Sequence, residues 1–147
     1  MAQTTGVMNG SLLKVQFVDT FAGTPSAAID LITECSLSLS MDTRDITTKS
    51  SGGYRELLGG LRSGSITFTA LFREDATNGF TELLASFTAA AEGGRCHVLF
   101  TTDNAGDVEY DAEAILTSLD VSAGTEDNAT MTGTFELSGA ITSTTIA

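Results

Sequence analysis

The alternating segment IDLITECSLSLSM, at residues 29–41, constrains the fold more than any other feature of the chain. It places mostly apolar side chains on one face and serines and acidic residues on the other, as in a strand with one buried face. The apolar set is Leu31, Cys35, Leu37, Leu39 and Met41, and the polar set is Asp30, Glu34, Ser36, Ser38 and Ser40. A strand of about a dozen residues spans roughly 40 Å, longer than most.

Similar alternation recurs along the rest of the chain. The further strand segments are residues 12–18, 65–72, 95–102, 107–122 and 128–139. The last two are joined by AGTED, which has the length and the glycine of a short hairpin loop. The segment at 128–139 adds a second hydroxyl row, Thr130, Thr132 and Thr134, to the serine row at 36–40. We therefore expect a mainly β protein built as an antiparallel β-sandwich or barrel.

One segment, at about residues 78–92, has helical periodicity instead. Its apolar residues follow the i, i+3, i+4, i+7 rule and are Phe80, Leu83, Leu84 and Phe87. Thr77 or Asn78 can cap its start and Gly93 can end it. We expect this flanking helix to lay its apolar stripe on the sheet, within a single domain that spans residues 1–147.

The glycine-rich stretch at residues 42–64 separates two of the predicted strands and is too long for a hairpin turn. Long connections of this kind in compact domains are usually functional. The stretch carries Tyr54, Arg55, Leu57, Leu58 and Leu61, and a monomer has little use for large apolar residues on a glycine-flanked loop. It is therefore predicted to be an inter-strand assembly loop that a partner covers.

The charge of the chain restricts its partners. Its 19 acidic and 7 basic residues give a net charge of −12, which repels nucleic acid phosphates and disfavours sequence-specific binding of DNA or RNA. The N-terminal residues lack a signal-peptide pattern, and no apolar run approaches the length of a membrane helix, so we expect folding in the cytoplasm without a membrane partner. Cys35 and Cys96 are expected to be buried, reduced thiols.

Residues for catalysis or metal binding are sparse. His97 is the only histidine and lies within a predicted strand, which favours a structural role over a triad or zinc site. The segment GGYRELLGGLRSGS lacks the phosphate-binding pattern GxxxxGK[ST], and DNAGDVEYDAE lacks the calcium-loop spacing. We expect no catalytic residue, no cofactor and no metal site, and hence no enzyme.

Four carboxylates, Asp107, Glu109, Asp111 and Glu113, alternate along one predicted strand and so share a face. Carboxylates about 7 Å apart repel one another unless water or cations lie in front of them. The face is either an ordinary solvated sheet surface or a surface with a special role. The sequence leaves both interpretations open.

Two segments together resemble the major tail tube proteins of long-tailed bacteriophages and related gene transfer agents. One is ITTKSSGGYRELLGGLRSGSITFTALFRED, with its Thr-rich start and Gly-aromatic-Arg-Glu-Leu-Leu-Gly-Gly core. The other is ILTSLDVSAGTEDNATMTGTFELSGAIT, which is similar to the closing hairpin and small-residue tail of that family. Together they cover about half of the chain.

The resemblance implies a structural virion protein of the tail, assembled in the host cytoplasm. Six copies would close into a ring with a continuous inner barrel, and stacked rings would form a tube that carries double-stranded DNA without binding it specifically. The loop at 42–64 would reach a neighbouring subunit or ring. Other implied partners are the tape measure protein, the tail terminator and distal tail or baseplate proteins. The carboxylate row Asp107, Glu109, Asp111 and Glu113 lies on the first strand of the closing hairpin and is expected to contribute to the channel wall, with Asp111 and Glu113 among its negative charges.

Two alternatives remain at the level of sequence. The chain could be the ring-forming inner-tube protein of a contractile or type VI injection machine, which by resemblance shares this fold and differs in its partners. It could also be an enzyme or a ligand-binding β domain, although the constellation of residues that chemistry requires is missing.

Overall fold

The computed structural model describes residues 4–18, 23, 25, 28–29, 31–74, 78–88 and 94–147. These residues form a 3₁₀ turn, seven strands and one α-helix. The 3₁₀ turn is Gly10–Leu12, the helix α1 is Phe80–Thr88, and the strands are β1 Lys14–Val18, β2 Ile32–Asp45, β3 Leu57–Leu71, β4 Arg95–Thr101, β5 Val108–Ser122, β6 Thr130–Leu137 and β7 Thr142–Thr145. The mainly β, antiparallel fold with one flanking helix confirms the expectation from sequence.

All seven strands belong to one antiparallel sheet that folds over on itself. The strand order is β1-β4-β5-β6-β3-β2, and β7 pairs with β5. The rings of Phe17 on β1 and Phe135 on β6 lie 5.8 Å apart, although these strands are not neighbours in the sheet. The thiol of Cys35 on β2 lies 3.6 Å from the carbonyl oxygen of Leu13, just before β1. The two ends of the sheet therefore approach each other and enclose the core.

The long strand β5 is shared by two layers. Its residues up to Ile115 pair with β4, and its first residues also pair with β7. From Ala114 onward it pairs with β6, with a bulge between Leu116 and Ser118. One layer is thus β1, β4, β7 and the first half of β5, and the other is β2, β3, β6 and the second half of β5. Because the core lies between the layers, their outer faces point away from each other.

The core is filled by the alternating apolar residues of the strands. Ile66, Phe68 and Ala70 on β3 are buried, while the residues between them are only partly covered. Cys96 is a buried free thiol and Cys35 is half-buried, also free. At the start of β2, a bulge between Ile32 and Glu34 brings the Ile32 side chain onto the core side. Leu31, just before β2, has a φ of 55°, and its side chain is 44% exposed. The prediction that Leu31 shares the buried face is therefore wrong.

The helix α1 buries a narrower stripe than its periodicity predicts. Leu83 and Ser86 are buried, whereas Leu84 and Phe87 are 41% and 52% exposed. The start of α1 lies close to β1, because the side-chain amide of Asn78 donates to the carbonyl oxygen of Phe17. Within this first turn, the Gly79 N–H donates to the Glu82 carboxylate. The helix packs through the Leu83 side, so the prediction that Leu84 and Phe87 face the sheet is wrong. Thr77, Gly93 and residues 89–92 of the predicted helix lie outside the described residues.

Much of the predicted loop at residues 42–64 is strand. β2 continues to Asp45 and β3 begins at Leu57, so the connection without regular structure is only residues 46–56. Gly59, Gly60 and Gly64, which suggested a loop, instead lie in β3 and allow close packing in the hairpin. A Cβ at Gly64 would lie 2.7 Å from the Leu39 side chain and 2.8 Å from Leu137. Glycine inside a strand often marks such a close approach, and here it does not mark a flexible loop.

Candidate assembly surfaces

Residues 42–64 form a β-hairpin arm, called the arm below. Its connection is held by local hydrogen bonds: the Ile46 N–H donates to the Glu56 carbonyl at 3.0 Å, and the Glu56 N–H donates to the Thr47 hydroxyl at 2.9 Å. Gly52 and Gly53 adopt φ values of 65° and 85°, which favour glycine, and complete the reversal of the chain. The arm therefore has a defined shape within one copy of the chain.

The arm exposes apolar side chains in a single copy of the chain. Tyr54 is 80% exposed and Leu61 is 76% exposed, and Leu57 and Leu58 are about half exposed. Leu57 pairs with Asp45 and Leu58 with Arg44 across the hairpin, so the two adjacent leucines lie on opposite faces of the arm. A flat hairpin with apolar residues on both faces presents two surfaces that a partner could cover.

Arg55, the remaining predicted residue of the arm, forms an ion pair within the arm itself. Its Nε donates to Asp45 Oδ2 at 3.2 Å. The pKa of Asp45 is lowered, first by hydrogen bonds from Thr47 and also by the one from Arg55. The contact stabilises the shape of the arm.

A hydroxyl-rich surface covers the outer side of the layer formed by β2, β3, β6 and the second half of β5. The register aligns side chains in rows across the four strands. One row is Ser36, Thr67, Thr134 and Ser118, the next is Glu34, Thr69, Thr132 and Asp120, and a third contains Ser38, Ser65 and Glu136. We call this surface the hydroxyl face. It carries three carboxylates and neither lysine nor arginine.

Cross-strand hydrogen bonds organise the hydroxyl face. The hydroxyls of Ser36 and Thr67 are hydrogen-bonded, and those of Ser40 and Ser63 lie 2.8 Å apart. The sequence predicted the rows on β2 and β6. It could not place them side by side, since β3 joins them by non-local pairing and the members on β5, Ser118 and Asp120, follow a bulge.

Both lateral edges of this four-stranded layer are unpaired in the described residues. β2 pairs only with β3 along its length, and the end of β5 after Ile115 pairs only with β6. Unpaired strand edges are templates for pairing with another chain unless they are blocked. The layer can therefore be extended from either side.

The predicted carboxylate row does not behave as four equivalent residues. Asp107 precedes β5 and is fully buried. It accepts hydrogen bonds from the Thr102 hydroxyl at 2.7 Å and from the N–H and hydroxyl of Thr4 at 2.6 and 2.7 Å. These bonds, with that of Thr102 first, lower the pKa of Asp107. The expectation that Asp107 faces water or a channel is wrong, because it fixes the N-terminal segment to the body of the protein.

The other members of the row lie on the outer side of the β4–β5 layer. His97 Nδ1 lies 2.5 Å from the Gly23 carbonyl oxygen, and Nε2 contacts the Asp111 carboxylate. Both partners are acceptors, so these contacts favour the protonated imidazole, in which both ring nitrogens donate. Burial lowers the pKa of His97, but the hydrogen bonds to Gly23 and Asp111, with the charges of Asp111 and Glu113, raise it overall. Glu113 lies opposite His97 in the register, and Glu109 opposite Thr144 of β7.

A family model described as phage tail tube protein matches residues 14–143, which is most of the chain. The chain belongs to the phage tail tube protein family. The four-stranded layer with unpaired edges and the exposed arm are thus features of a tail tube protein, and the resemblance inferred from sequence is confirmed.

Solved structures agree with this assignment. The tail of an empty gene transfer agent particle, refined with C6 symmetry, contains a chain of TM-score 0.77 and 25% identity, with 94% of this chain and 99% of that chain covered. The SPP1 tail tube matches with a TM-score of 0.67 and 17% identity over 96% and 81% of the two chains. The sheath–tube complex of an extracellular contractile injection system matches with a TM-score of 0.62 and 16% identity over 91% and 88%. No curated protein matches the chain.

Two further features of the tail tube protein concern metal binding and membrane insertion. Among the described residues, no three histidine, cysteine, aspartate or glutamate side chains are grouped so that they could hold a metal ion. Within the same part of the chain, no helix combines the length and the apolar character needed to cross a membrane.

Proposed function

We propose that six copies of this chain close into a ring by pairing the free edge of β2 in one copy with the free edge of β5, after Ile115, in the next. Stacked rings then form the tail tube. The two unpaired edges of the four-stranded layer that bears the hydroxyl face support this proposal. A layer with two free edges can close into a barrel only by pairing with other copies. The C6 symmetry of the related gene transfer agent tail supports six copies per ring.

The hydroxyl face is the surface that this arrangement turns toward the channel. DNA carries about one negative charge per 1.7 Å of its axis, so a wall with lysine or arginine would retain it. The hydroxyl face has neither, and its carboxylates Glu34, Asp120 and Glu136 repel phosphates. Double-stranded DNA therefore passes through the tube without being bound specifically. The carboxylates Glu109, Asp111 and Glu113, which we expected from sequence to face the channel, lie on the opposite layer and would face outward.

Closed rings that stack leave uncovered ring faces only at the two ends of the tube. The tail terminator and the distal tail or baseplate proteins are the partners for these ends, and the tape measure protein is the partner for the channel during assembly. The role is structural and requires no catalytic step.

An inner tube of a contractile injection machine is the second candidate, supported by the fold shared with the contractile injection tube. The two candidates differ in what covers the outside of the tube. A tube that binds a sheath protein when the two are mixed would favour the second candidate.

Purified protein examined by negative-stain electron microscopy and sedimentation velocity tests the proposal. We expect the purified protein to form rings and tubes with a central channel. A matched pair of variants tests the edges: Leu39→Pro, in β2, would disrupt rings and tubes, whereas Thr144→Pro, in the short strand β7, would leave them intact. Rings that form normally with Leu39→Pro would contradict pairing through β2.

A further inference from the structure

The chain contains two Asn-Gly sequences, Asn9–Gly10 and Asn78–Gly79. In such a sequence the backbone nitrogen of the glycine can attack the side-chain amide carbon of the asparagine. Glycine favours this attack because it has no Cβ to block the approach and adopts a wide range of backbone angles. The other two asparagines of the chain are followed by alanine. The two Asn-Gly sites share the same local chemistry, so their surroundings decide how each one reacts.

The fold holds the site at Asn78 on both sides of the bond that would have to form. The side-chain amide of Asn78 donates to the Phe17 carbonyl oxygen at 3.3 Å, and the Gly79 N–H donates to the Glu82 carboxylate at 3.1 Å. Gly79 is buried at the start of α1. The attack requires loss of the proton on the glycine nitrogen, and a hydrogen bond to a carboxylate opposes that loss. The amide also has to leave its contact with β1 before it can rotate.

The site at Asn9 is open by comparison. Asn9 and Gly10 are exposed, and nothing lies within 4 Å of a Cβ placed at Gly10. Asn9 caps the 3₁₀ turn, and its side chain accepts from the Ser11 N–H at 3.2 Å on the surface. Gly10 is the first residue of that turn, whose own hydrogen bonds leave the first N–H groups unpaired. An exposed segment of this kind opens at a low cost in free energy.

We propose that Asn9 is a site of spontaneous deamidation and that the fold protects Asn78. The Gly10 nitrogen loses its proton to water and forms a bond to Cγ of Asn9. The bond from Cγ to the side-chain nitrogen then breaks, and ammonia leaves with the proton. Water opens the resulting succinimide ring at either carbonyl carbon and gives aspartate or isoaspartate. The reaction consumes one water and releases one ammonia. It needs no partner, so the site is independent of the tube proposed above.

The two products differ in their effect on the turn. Aspartate keeps a side-chain oxygen for the Ser11 N–H and is as good a helix cap as asparagine. Isoaspartate routes the backbone through the side chain, which adds a carbon to the main chain and removes the cap. Either product adds one negative charge close to β2, because Gly10 and Ser11 border a hollow of about 360 Å³ that residues 32–35 also line.

Peptide mapping by mass spectrometry, after incubation of the full chain at alkaline pH, tests the site. Trypsin places Asn9 in the peptide 1–14 and Asn78 in the peptide 74–95, so each site is measured separately. The folded chain should convert Asn9 at least about tenfold faster than Asn78, because opening the start of α1 costs more free energy. In urea the two sites should react at similar rates. A mixture of aspartate and isoaspartate at position 9 is expected from the succinimide.

Two variants test the causes of the difference. Gly10→Ala places a methyl group in open space and should slow the conversion of Asn9. Glu82→Ala removes the acceptor of the Gly79 N–H and should accelerate the conversion of Asn78. Equal rates at the two sites in the folded chain, or faster conversion of Asn78, would overturn the proposal. Aspartate alone at position 9, or an unchanged rate in Gly10→Ala, would contradict attack by the Gly10 nitrogen.

Discussion

Gly133 on β6 lies directly against the ring of Phe68 on β3, so closely that a Cβ at position 133 would come within 2.6 Å of two ring carbons. The same Phe68 ring lies 5.8 Å from the ring of Phe135, which in turn contacts Phe17 in the other layer. The absence of a side chain at position 133 is therefore what lets the aromatic residues connect the two layers.

Replacement of Gly133 by alanine should destabilise the folded subunit by about 1–3 kcal/mol, because the added methyl group forces the Phe68 ring out of its packed position. Gly10→Ala is the matched control, since nothing lies within 4 Å of a Cβ at Gly10. Urea denaturation of both variants measures the effect. Equal stability of the two would show that the core absorbs the methyl group without strain.

The His97 contacts predict a pH dependence of stability. The pKa of His97 is raised in the folded chain, so its contribution is complete below the unfolded value of about 6.5 and is lost as the pH rises through the folded pKa. The free energy of unfolding should fall over that window in the wild type, and the fall should be absent in His97→Gln.

The same window can be followed directly, because His97 is the only histidine and its imidazole signals need no assignment in an NMR titration. A pKa at or below about 6.5 would contradict the protonated imidazole between Gly23 and Asp111.

Asp substitutions at Leu57 and Leu58 should prevent stacking and leave the subunit folded. Both leucines are about half exposed in one copy, so the monomer tolerates the change, whereas an unpaired carboxylate buried in a contact costs several kcal/mol. Far-UV circular dichroism and light scattering separate folding from assembly. The control is Leu57→Met with Leu58→Met, which should still stack. Normal tubes from the Asp variants would remove these leucines from the interface.

Lysines on the hydroxyl face should slow the passage of DNA. Thr67→Lys with Thr134→Lys introduces two neighbouring cations in one row, and particles carrying this tube should eject DNA more slowly, most strongly at low salt where screening is weakest. Glu109→Lys changes the net charge by the same amount on the other layer and should have no effect. A slower ejection with Glu109→Lys alone would assign the channel to the carboxylate row.

Local periodicity predicted the strands well where one face is buried. The serine row of β2 and the threonine row of β6 are correct because each alternates with core residues such as Leu37 and Phe135. The strand β7, TSTT, was not predicted since it has no apolar alternation and forms by pairing with β5. Glycines at 59, 60 and 64 predict a loop, but in the structure they lie in β3 and allow close packing against neighbouring side chains, a property that depends on the neighbouring strand.

Features that depend on residues far apart in the chain could not be predicted from local sequence patterns. The exposure of Leu84 and Phe87 depends on which side of α1 packs against the sheet. Helical periodicity identifies the apolar stripe of the helix but not which part of that stripe is buried. The burial of Asp107 depends on Thr4, far away in the chain. The apolar residues of the arm can be read from the sequence, whereas the hydroxyl face depends on the register of four strands.

A helical cryo-EM reconstruction of tubes assembled from the purified chain would show which edges join the subunits and which face lines the channel. We predict six copies per ring, β2 of each copy hydrogen-bonded to the end of β5 in the next, and Ser36, Thr67 and Thr134 facing the channel. A tube in which Glu109 and Glu113 face the channel and the hydroxyl face lies outside would contradict it.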